Sequence, residues 1–440
     1  MPHEKSRLAS IVMIVALVGI AVAGFFLLRD LKGPSISLSP NETGRVGATQ
    51  NMTLTLTDQA GIRAVQITIR RGAESFTLLR HEFDHLQTEQ KVNFNLREAK
   101  LPDGAFELEV KASDASFAGF GRGNSTTLSL PLRMDTQAPR IAVKTTPPNI
   151  RRGGSAIILY TVNEEVGRTG VKVGDYFFPG YNQQNGAYAC LFPYPHFMNS
   201  NNFAPEIMAE DLAGNTTSSR LLVTPQTRNF REDTMNITDA FLNSKSVELE
   251  SICPDEPSVL EQYICVNSKV RLDNDAFILS LAGDTSPIFL WKGSFKQLPR
   301  GKTMADFGDH RTYKYAGEVI DKQVHTGLDL ASVAQSEIPA TTSGRVIFAG
   351  NLGIYGNMVI IDHGLSLMSL YSHMTEISVS PGEEVVSEQI LGTTGTSGLA
   401  GGDHLHYGIL VGGIPVQPRE WLDAEWIKNN ITSRLNTPIQ

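Results

Sequence analysis

The chain has 440 residues, more than a single hydrophobic core accommodates, so length alone calls for about three or four domains. Its 46 acidic against 38 basic residues give a formal net charge of −8. With no basic cluster either, this argues against nucleic acid as a partner.

At the N-terminus, Leu8 to Leu28 is a run of 21 residues without a charge, long enough to span a bilayer as a helix. Lys5 and Arg7 precede it and Arg29 and Lys32 follow it, so the flanking basic residues barely fix its orientation. Ala21-Val22-Ala23 resembles the processing site of a cleaved signal peptide. The apolar run continues past that site to Leu28, which favours an uncleaved anchor. Residues 1–33 are therefore expected to form a cytoplasmic tip and a transmembrane signal anchor. Either reading exports the rest of the chain, giving a single-pass protein of the cytoplasmic (inner) membrane with its bulk in the periplasm or outside the cell.

The expected fold is mainly β, beginning with two tandem β-sandwiches at 34–134 and 135–227. In the first, Met52, Leu54 and Leu56 alternate with polar residues. So do Val65, Ile67 and Ile69, then Val92, Phe94 and Leu96, then Phe106, Leu108 and Val110. The linker Asp135-Thr136-Gln137-Ala138-Pro139 opens the second, where Ala156, Ile158, Tyr160 and Val162 alternate. It ends near Ala209-Glu210-Asp211-Leu212-Ala213-Gly214-Asn215, echoing Ala112-Ser113-Asp114 at a separation of 97 residues. These turn motifs resemble those of bacterial immunoglobulin-like repeats.

A helical pattern follows over 228–286. Asp233 or Thr234 is expected to cap a helix presenting Ile237, Phe241 and Leu242 on one face, and Ser258 a helix carrying Val259, Leu260, Tyr263 and Ile264. The segment reads as a packed connector, with a regulatory or substrate-shielding element as its functional alternative. Of the three cysteines, too few for a disulfide scaffold, Cys253 and Cys265 lie here and Cys190 lies upstream. None has CxxC spacing, and two arrangements are open: a Cys253–Cys265 bridge beside a buried Cys190 thiol, or three unpaired core cysteines. From Pro287 to Gln440 the pattern is again β-rich, with hairpins expected to turn at Ser343-Gly344 and Pro381-Gly382.

This last segment carries the chemistry. His325-Thr326-Gly327-Leu328-Asp329 is followed by His373 and by His404-Leu405-His406. Neutral imidazoles and a carboxylate are ligands zinc prefers, and a catalytic zinc keeps three protein ligands and an open fourth position. His404 and His406 lie two apart, so a strand points both to one face and Leu405 to the other. His81-Glu82-Phe83-Asp84-His85 formally matches the zincin motif, but that motif works only on a helix. Here it lies between strand-like runs and reads as a solvated loop. His363 before Gly364 reads as structural, His310 in Phe307-Gly308-Asp309-His310-Arg311 as a packing residue with substrate contact as its alternative, and His196 and His3 carry no signal. The Gly-rich stretch Gly392 to Gly402 lacks the Gly-Lys-Ser/Thr ending of a P-loop and reads as a turn forming one groove wall.

From His325 to about Trp421 the chain resembles the LytM/lysostaphin-type zinc endopeptidases, of the duplicated hybrid motif type, that cut peptides of bacterial peptidoglycan. The shared features, in order, are the His-x-Gly-x-Asp motif, Tyr355-Gly356-Asn357, Asp362-His363-Gly364, Tyr371-Ser372-His373, Gly392 to Gly398 and His404-Leu405-His406-Tyr407-Gly408. Two details depart: Tyr407 stands where Phe is common, and Gly401-Gly402-Asp403 replaces Thr-Gly-Pro. The resemblance implies a zinc peptidase domain at 287–440 binding one Zn2+ through His325, Asp329 and His406. It further implies that His373 and His404 handle the water and the developing charge. The implied substrate is a peptidoglycan stem peptide or cross-link. The alternative from a different class is a non-catalytic peptidoglycan-binding or hydrolase-activating module on an adhesive sandwich stalk.

Overall fold

The computed structural model describes residues 12–19, 24, 32–40, 44–183 and 186–436. Most of the apolar run Leu8–Leu28 lies outside them, as does His3, and no described helix is long and apolar enough to cross a membrane. The chain forms two units: residues 1–139 with 165–167 and 210–216, and the remainder to residue 440.

The first unit contains a β-sandwich built by the expected alternation. Ser35–Ser39, Met52–Thr57 and Glu89–Phe94 form a three-stranded sheet; Arg45–Val46, Ser125–Met134, Gly104–Asp114, Ile62–Arg71 and Glu74–Glu82 form a five-stranded one. Met52, Leu54, Leu56, Val65, Ile67, Ile69, Leu108 and Val110 all point inward and are essentially inaccessible.

In the second unit, the strand Ser155–Val162 belongs to a four-stranded sheet with Tyr181–Asn182, Tyr188–Pro193 and Ile141–Thr145. Here alternation understates burial, because every residue from Ser155 to Tyr160 is buried. The face holding Ile157 and Leu159 is also covered: the strand packs on the C-terminal helical turns, and the Trp421 indole N–H donates to Ser155 Oγ at 3.1 Å. Residues of this sandwich and of the C-terminal domain share one hydrophobic core.

The connector differs from expectation at its start. Glu232–Ile237 is a strand, paired in parallel with His310–Tyr315, which in turn pairs antiparallel with Glu318–Val324. The first helix, Asp239–Ile252, begins six residues after Asp233, capped by Thr238 Oγ1 accepting from the Phe241 N–H. The second, Val259–Cys265, has the expected Ser258 cap, and Arg271–Ser280 follows. Cys253 and Cys265 are bridged, joining the first helix to the second, and Cys190 is a buried free thiol.

The C-terminal domain centres on an antiparallel sheet. Its order is Lys302–Ala305, Leu328–Ala331, Leu405–Val411, Leu367–Met374, Asn357–Asp362, Gly344–Asn351 and Glu384–Val385, with Ile414–Val416 beside Leu405–Val411. A smaller sheet holds Glu337–Pro339, Ile390–Thr393 and Glu376–Ile377. The turns at Ser343-Gly344 and Pro381-Gly382 are therefore not hairpins; each carries the chain from the small sheet to the large one. Leu405–Val411 and Leu367–Met374 are buried along their whole length because both faces are covered. Leu405, Tyr407 and Ile409 join the core shared with the second sandwich, while Leu370 and Leu410 pack under the connector helices with Tyr263, Val266 and Ile278.

Candidate metal centre

Strand register assembles the site. Asp329 sits directly opposite His406 in the Leu328–Ala331/Leu405–Val411 pair, so both side chains leave the same face. His325 lies just before the first of these strands, and the bend at Gly327 folds it back over Asp329. A side chain at Gly327 is excluded there: a Cβ would come within 2.7 Å of His406 Nε2 and 2.6 Å of the Tyr407 carbonyl. His404 stands one residue before the Leu405 strand, bridged to Gly395.

His373 reaches the site by a different device. Ser372 is the residue opposite His406, so in a regular strand His373 would point to the other face. The ladder to Asn357–Asp362 slips at this point, and His373 takes φ +62°, in the left-handed region. The irregularity turns its ring toward His404 and His406, with centroids 4.9 and 5.9 Å away.

Three donor atoms form a triangle: His325 Nε2 to Asp329 Oδ1 is 2.9 Å, His325 Nε2 to His406 Nδ1 is 3.0 Å, and His406 Nδ1 to Asp329 Oδ1 is 3.0 Å. A tetrahedral ion with bonds of 2.0–2.1 Å wants ligand atoms about 3.3 Å apart, so a small outward adjustment admits zinc. These three residues form a group able to hold a metal ion. The remaining ring nitrogens are occupied in ways that fix the tautomers. His325 Nδ1–H donates to the Asp306 carbonyl at 2.8 Å, leaving Nε2 as a lone pair. His373 Nδ1–H donates to the Ser397 carbonyl at 2.8 Å and His404 Nδ1–H to the Gly402 carbonyl at 2.7 Å, so each keeps Nε2 free for chemistry. His404 Nε2 lies 3.5 Å from Asp329 Oδ1.

The electrostatics favour the unprotonated forms of Asp329 and His406. Burial alone would raise the Asp329 carboxyl, yet His325, His404 and His406 beside it hold it well below the usual carboxylate value. Burial pushes His406 down to about 4. The other two imidazoles are driven apart. Burial, with His404 and His406 nearby, holds His373 well below the usual value, whereas Asp329 lifts His404 above it against the effect of burial. The remaining oxygen of Asp329, Oδ2, accepts from Arg311 Nη2 at 2.9 Å. Arg311 closes the stretch Phe307-Gly308-Asp309-His310-Arg311, which resembles the entry loop of LytM-type domains, but nothing in that pattern marks it as a partner of Asp329.

The cavity above these donors has a volume of about 150 Å³ and is lined in part by Tyr263, Asn267 and Arg271 of the connector. Connector helices bond to both flanking loops. Lys245 Nζ donates to the Thr396 carbonyl, Glu248 Oε1 accepts from the Gly398 N–H at 2.6 Å, and Asn274 Oδ1 accepts from the Ile354 N–H at 3.0 Å.

The other histidines stay out of this group. His363 is fully buried, donating from Nδ1 to the Ser343 carbonyl at 2.8 Å and accepting at Nε2 from Ser369 Oγ at 2.7 Å. His310 stacks on Phe230, with ring centroids 5.9 Å apart. His196 is buried, and its Nδ1 has no hydrogen-bond partner among the described residues. His81 and His85 are exposed.

Residues 323–418 match Peptidase family M23 and form an M23, LytM-type domain. Over 96 residues the chain is 35% identical to the DD-carboxypeptidase/endopeptidase Mpg of Neisseria meningitidis serogroup B, covering 22% of each chain. It is 36% identical over 92 residues to the peptidoglycan DD-endopeptidase ShyA of Vibrio cholerae, covering 21% of each. It is also 31% identical over 124 residues to the murein hydrolase activator EnvC of Escherichia coli, covering 28% of this chain and 30% of that one. The matches to Mpg and ShyA thus span about a fifth of those relatives' length.

Proposed function

We propose that the C-terminal domain is a zinc endopeptidase hydrolysing peptide bonds in peptidoglycan stem peptides or cross-links. The observation that carries this reading is the convergence of His325, Asp329 and His406 on one triangle with the free Nε2 atoms of His373 and His404 beside it. Zinc bound there would supply Lewis-acid polarisation of the scissile carbonyl and a water acidified toward neutrality. His404 takes the proton from the attacking water at Nε2, and its contact with Asp329 favours the imidazolium so formed. The His404 imidazolium then returns that proton to the leaving nitrogen, while His373, held neutral by burial, offers its Nε2 lone pair as an acceptor for the attacking water. Water adds to the carbonyl carbon, the C–N bond breaks, and the products are a carboxylate and an amine. The peptidoglycan substrate comes from the likeness to Mpg and ShyA.

The likeness to EnvC supports a second reading, a module that activates another hydrolase. Incubating purified sacculi with the full chain and identifying products by mass spectrometry separates the two. New peptide termini, lost in the His404→Ala protein, support the enzyme. Tight binding without cleavage, together with stimulation of an added hydrolase, supports the activator. We place the chain outside the cytoplasm, held by the Leu8–Leu28 segment; the Cys253–Cys265 bridge suits an oxidising compartment. Membrane fractionation with N-terminal sequencing tests this, and a soluble mature protein beginning near Gly24 would remove the tether.

A further inference from the structure

We propose that Arg311 positions the metal-ligand carboxylate of Asp329, holding Oδ2 so that Oδ1 alone faces the ligand triangle. This rests on the reading of His325, Asp329 and His406 as ligands. The two oxygens of Asp329 have separate partners. Oδ1 meets His325 Nε2, His406 Nδ1 and, at 3.5 Å, His404 Nε2, while Oδ2 takes the Arg311 Nη2–H at 2.9 Å. A carboxylate free at both oxygens can rotate or chelate with both. One anchored at Oδ2 offers a single oxygen and leaves room at the ion for water and substrate.

The chain delivers holder and ligand on one frame. Arg311 faces Gln323 in the hairpin of His310–Tyr315 and Glu318–Val324, and the residue after that hairpin is His325. His325 is tied to the same frame, its N–H donating to the Asp309 carbonyl at 2.9 Å and its carbonyl accepting from Gly308 at 2.7 Å. On the other side, Asp233 of the parallel strand Glu232–Ile237 pairs with Arg311. Arg311 lies ahead of the matched segment 323–418, on the strand that leads into it.

The arrangement is not that of an ordinary structural ion pair, whose donors are normally all satisfied. Arg311 Nε is buried with no acceptor among the described residues, while Nη2 is spent on Asp329. The guanidinium has Tyr313 as a second side-chain partner, yet Nε stays without one among the described residues.

The test uses the full chain and measures zinc affinity by chelator competition, with cobalt(II) absorption as an independent report on coordination. Arg311→Met is expected to weaken zinc about 10- to 100-fold. Its cobalt complex should absorb less intensely in the visible, as Asp329 engages through both oxygens and coordination rises above four. Arg311→Lys, which keeps the charge and a donor, should recover most of the affinity. Should Arg311→Met fold poorly because it strands a buried carboxylate, the Asp329→Asn background removes that charge. There, Arg311→Met should make no further difference to zinc. Wild-type zinc affinity and an unchanged cobalt spectrum in Arg311→Met would overturn the proposal, as would an undiminished effect in the Asp329→Asn background. A wild-type chain that takes up neither ion would overturn this proposal and the zinc reading together, whereas the other outcomes touch Arg311 alone.

Discussion

Two stretches of this chain pair a histidine with a second ligand type four residues on, and only one builds a site. His81-Glu82-Phe83-Asp84-His85 has the letters of a metal motif, yet it runs along the end of the strand Glu74–Glu82 and out into solvent. Extended backbone carries residues four apart away from each other, so His81 and His85 share no ion. In His325-Thr326-Gly327-Leu328-Asp329 the chain bends at Gly327, and the side chains of positions one and five meet at 2.9 Å. A strand nearly eighty residues later then adds His406 at 3.0 Å. Spacing along the sequence proposes a site. A turn, a register partner and burial make one.

Substitution at either stretch tests that contrast most severely. His406→Ala should reduce bound zinc from about one ion per chain to near none, because a two-ligand remnant cannot hold a structural or catalytic zinc. His81→Ala and His85→Ala should leave the metal content unchanged. Zinc retained by His406→Ala, or lost on changing His81, would dissolve the distinction. The next effect in size concerns function within the built site. His404→Ala should lower kcat by about 10²–10⁴-fold while zinc stays bound, since this residue is assigned to proton transfer and not to ligation. Loss of metal and activity together would make His404 a ligand instead.

The sequence exposed the ligand letters and the sandwich alternation, but not the features that need a distant partner. Met52, Leu54 and Leu56 read correctly because one face of their strand is solvated. Ile157 and Leu159 did not, because C-terminal turns cover the second face of theirs. Glu232–Ile237 passed for the start of a helix, since its parallel partner His310–Tyr315 lies 78 residues on at the facing position. His373 was legible by its motif, but not the ladder slip and φ of +62° that aim it. Arg311 lay in a recognisable stretch, Phe307 to Arg311, but its contact with Asp329 was not legible, because the two sit on different strands.

The environment around the built site supplies a pH-dependent form of the same contrast. Burial pushes His363 down to about 4, against 6.5 in an unfolded chain. Between those values the unfolded chain carries a proton there and the folded one does not, so stability falls as pH drops from about 6.5 to 4, then levels off. One such group accounts for about 3 kcal/mol. His363→Asn should shrink the acid-side loss by about that amount, beyond its fixed cost in hydrogen bonds. All three tryptophans, Trp291, Trp421 and Trp426, lie in the C-terminal region, so their fluorescence during denaturant unfolding of metal-free protein follows this unit. An identical pH slope in the variant would refute the assignment.

The smallest expected effect asks how much of the second site's burial is removable. Glu248, on the first connector helix, accepts from the Gly398 N–H at 2.6 Å, and Lys245 beside it reaches the Thr396 carbonyl. Thr396 and Gly398 belong to one loop, whose Leu399 and Gly401 line the cavity together with connector residues. Tyr263, Asn267 and Arg271 of the neighbouring helices line the cavity, so if a bound peptide displaces them the helix pair has to shift. A hydrogen bond to a charged group holds such a contact by about 1.5–3 kcal/mol. Removing it shifts the population toward the open arrangement without adding any contact to substrate. Glu248→Ala should therefore raise kcat/KM on sacculi-derived peptides by about tenfold, the lower end of that energy, while zinc affinity stays put. Faster proteolysis or hydrogen exchange confined to Asp239–Ile252 would show the helix loosening. Unchanged or reduced kcat/KM with a loosened helix would mean that the connector shapes the groove and does not cover it.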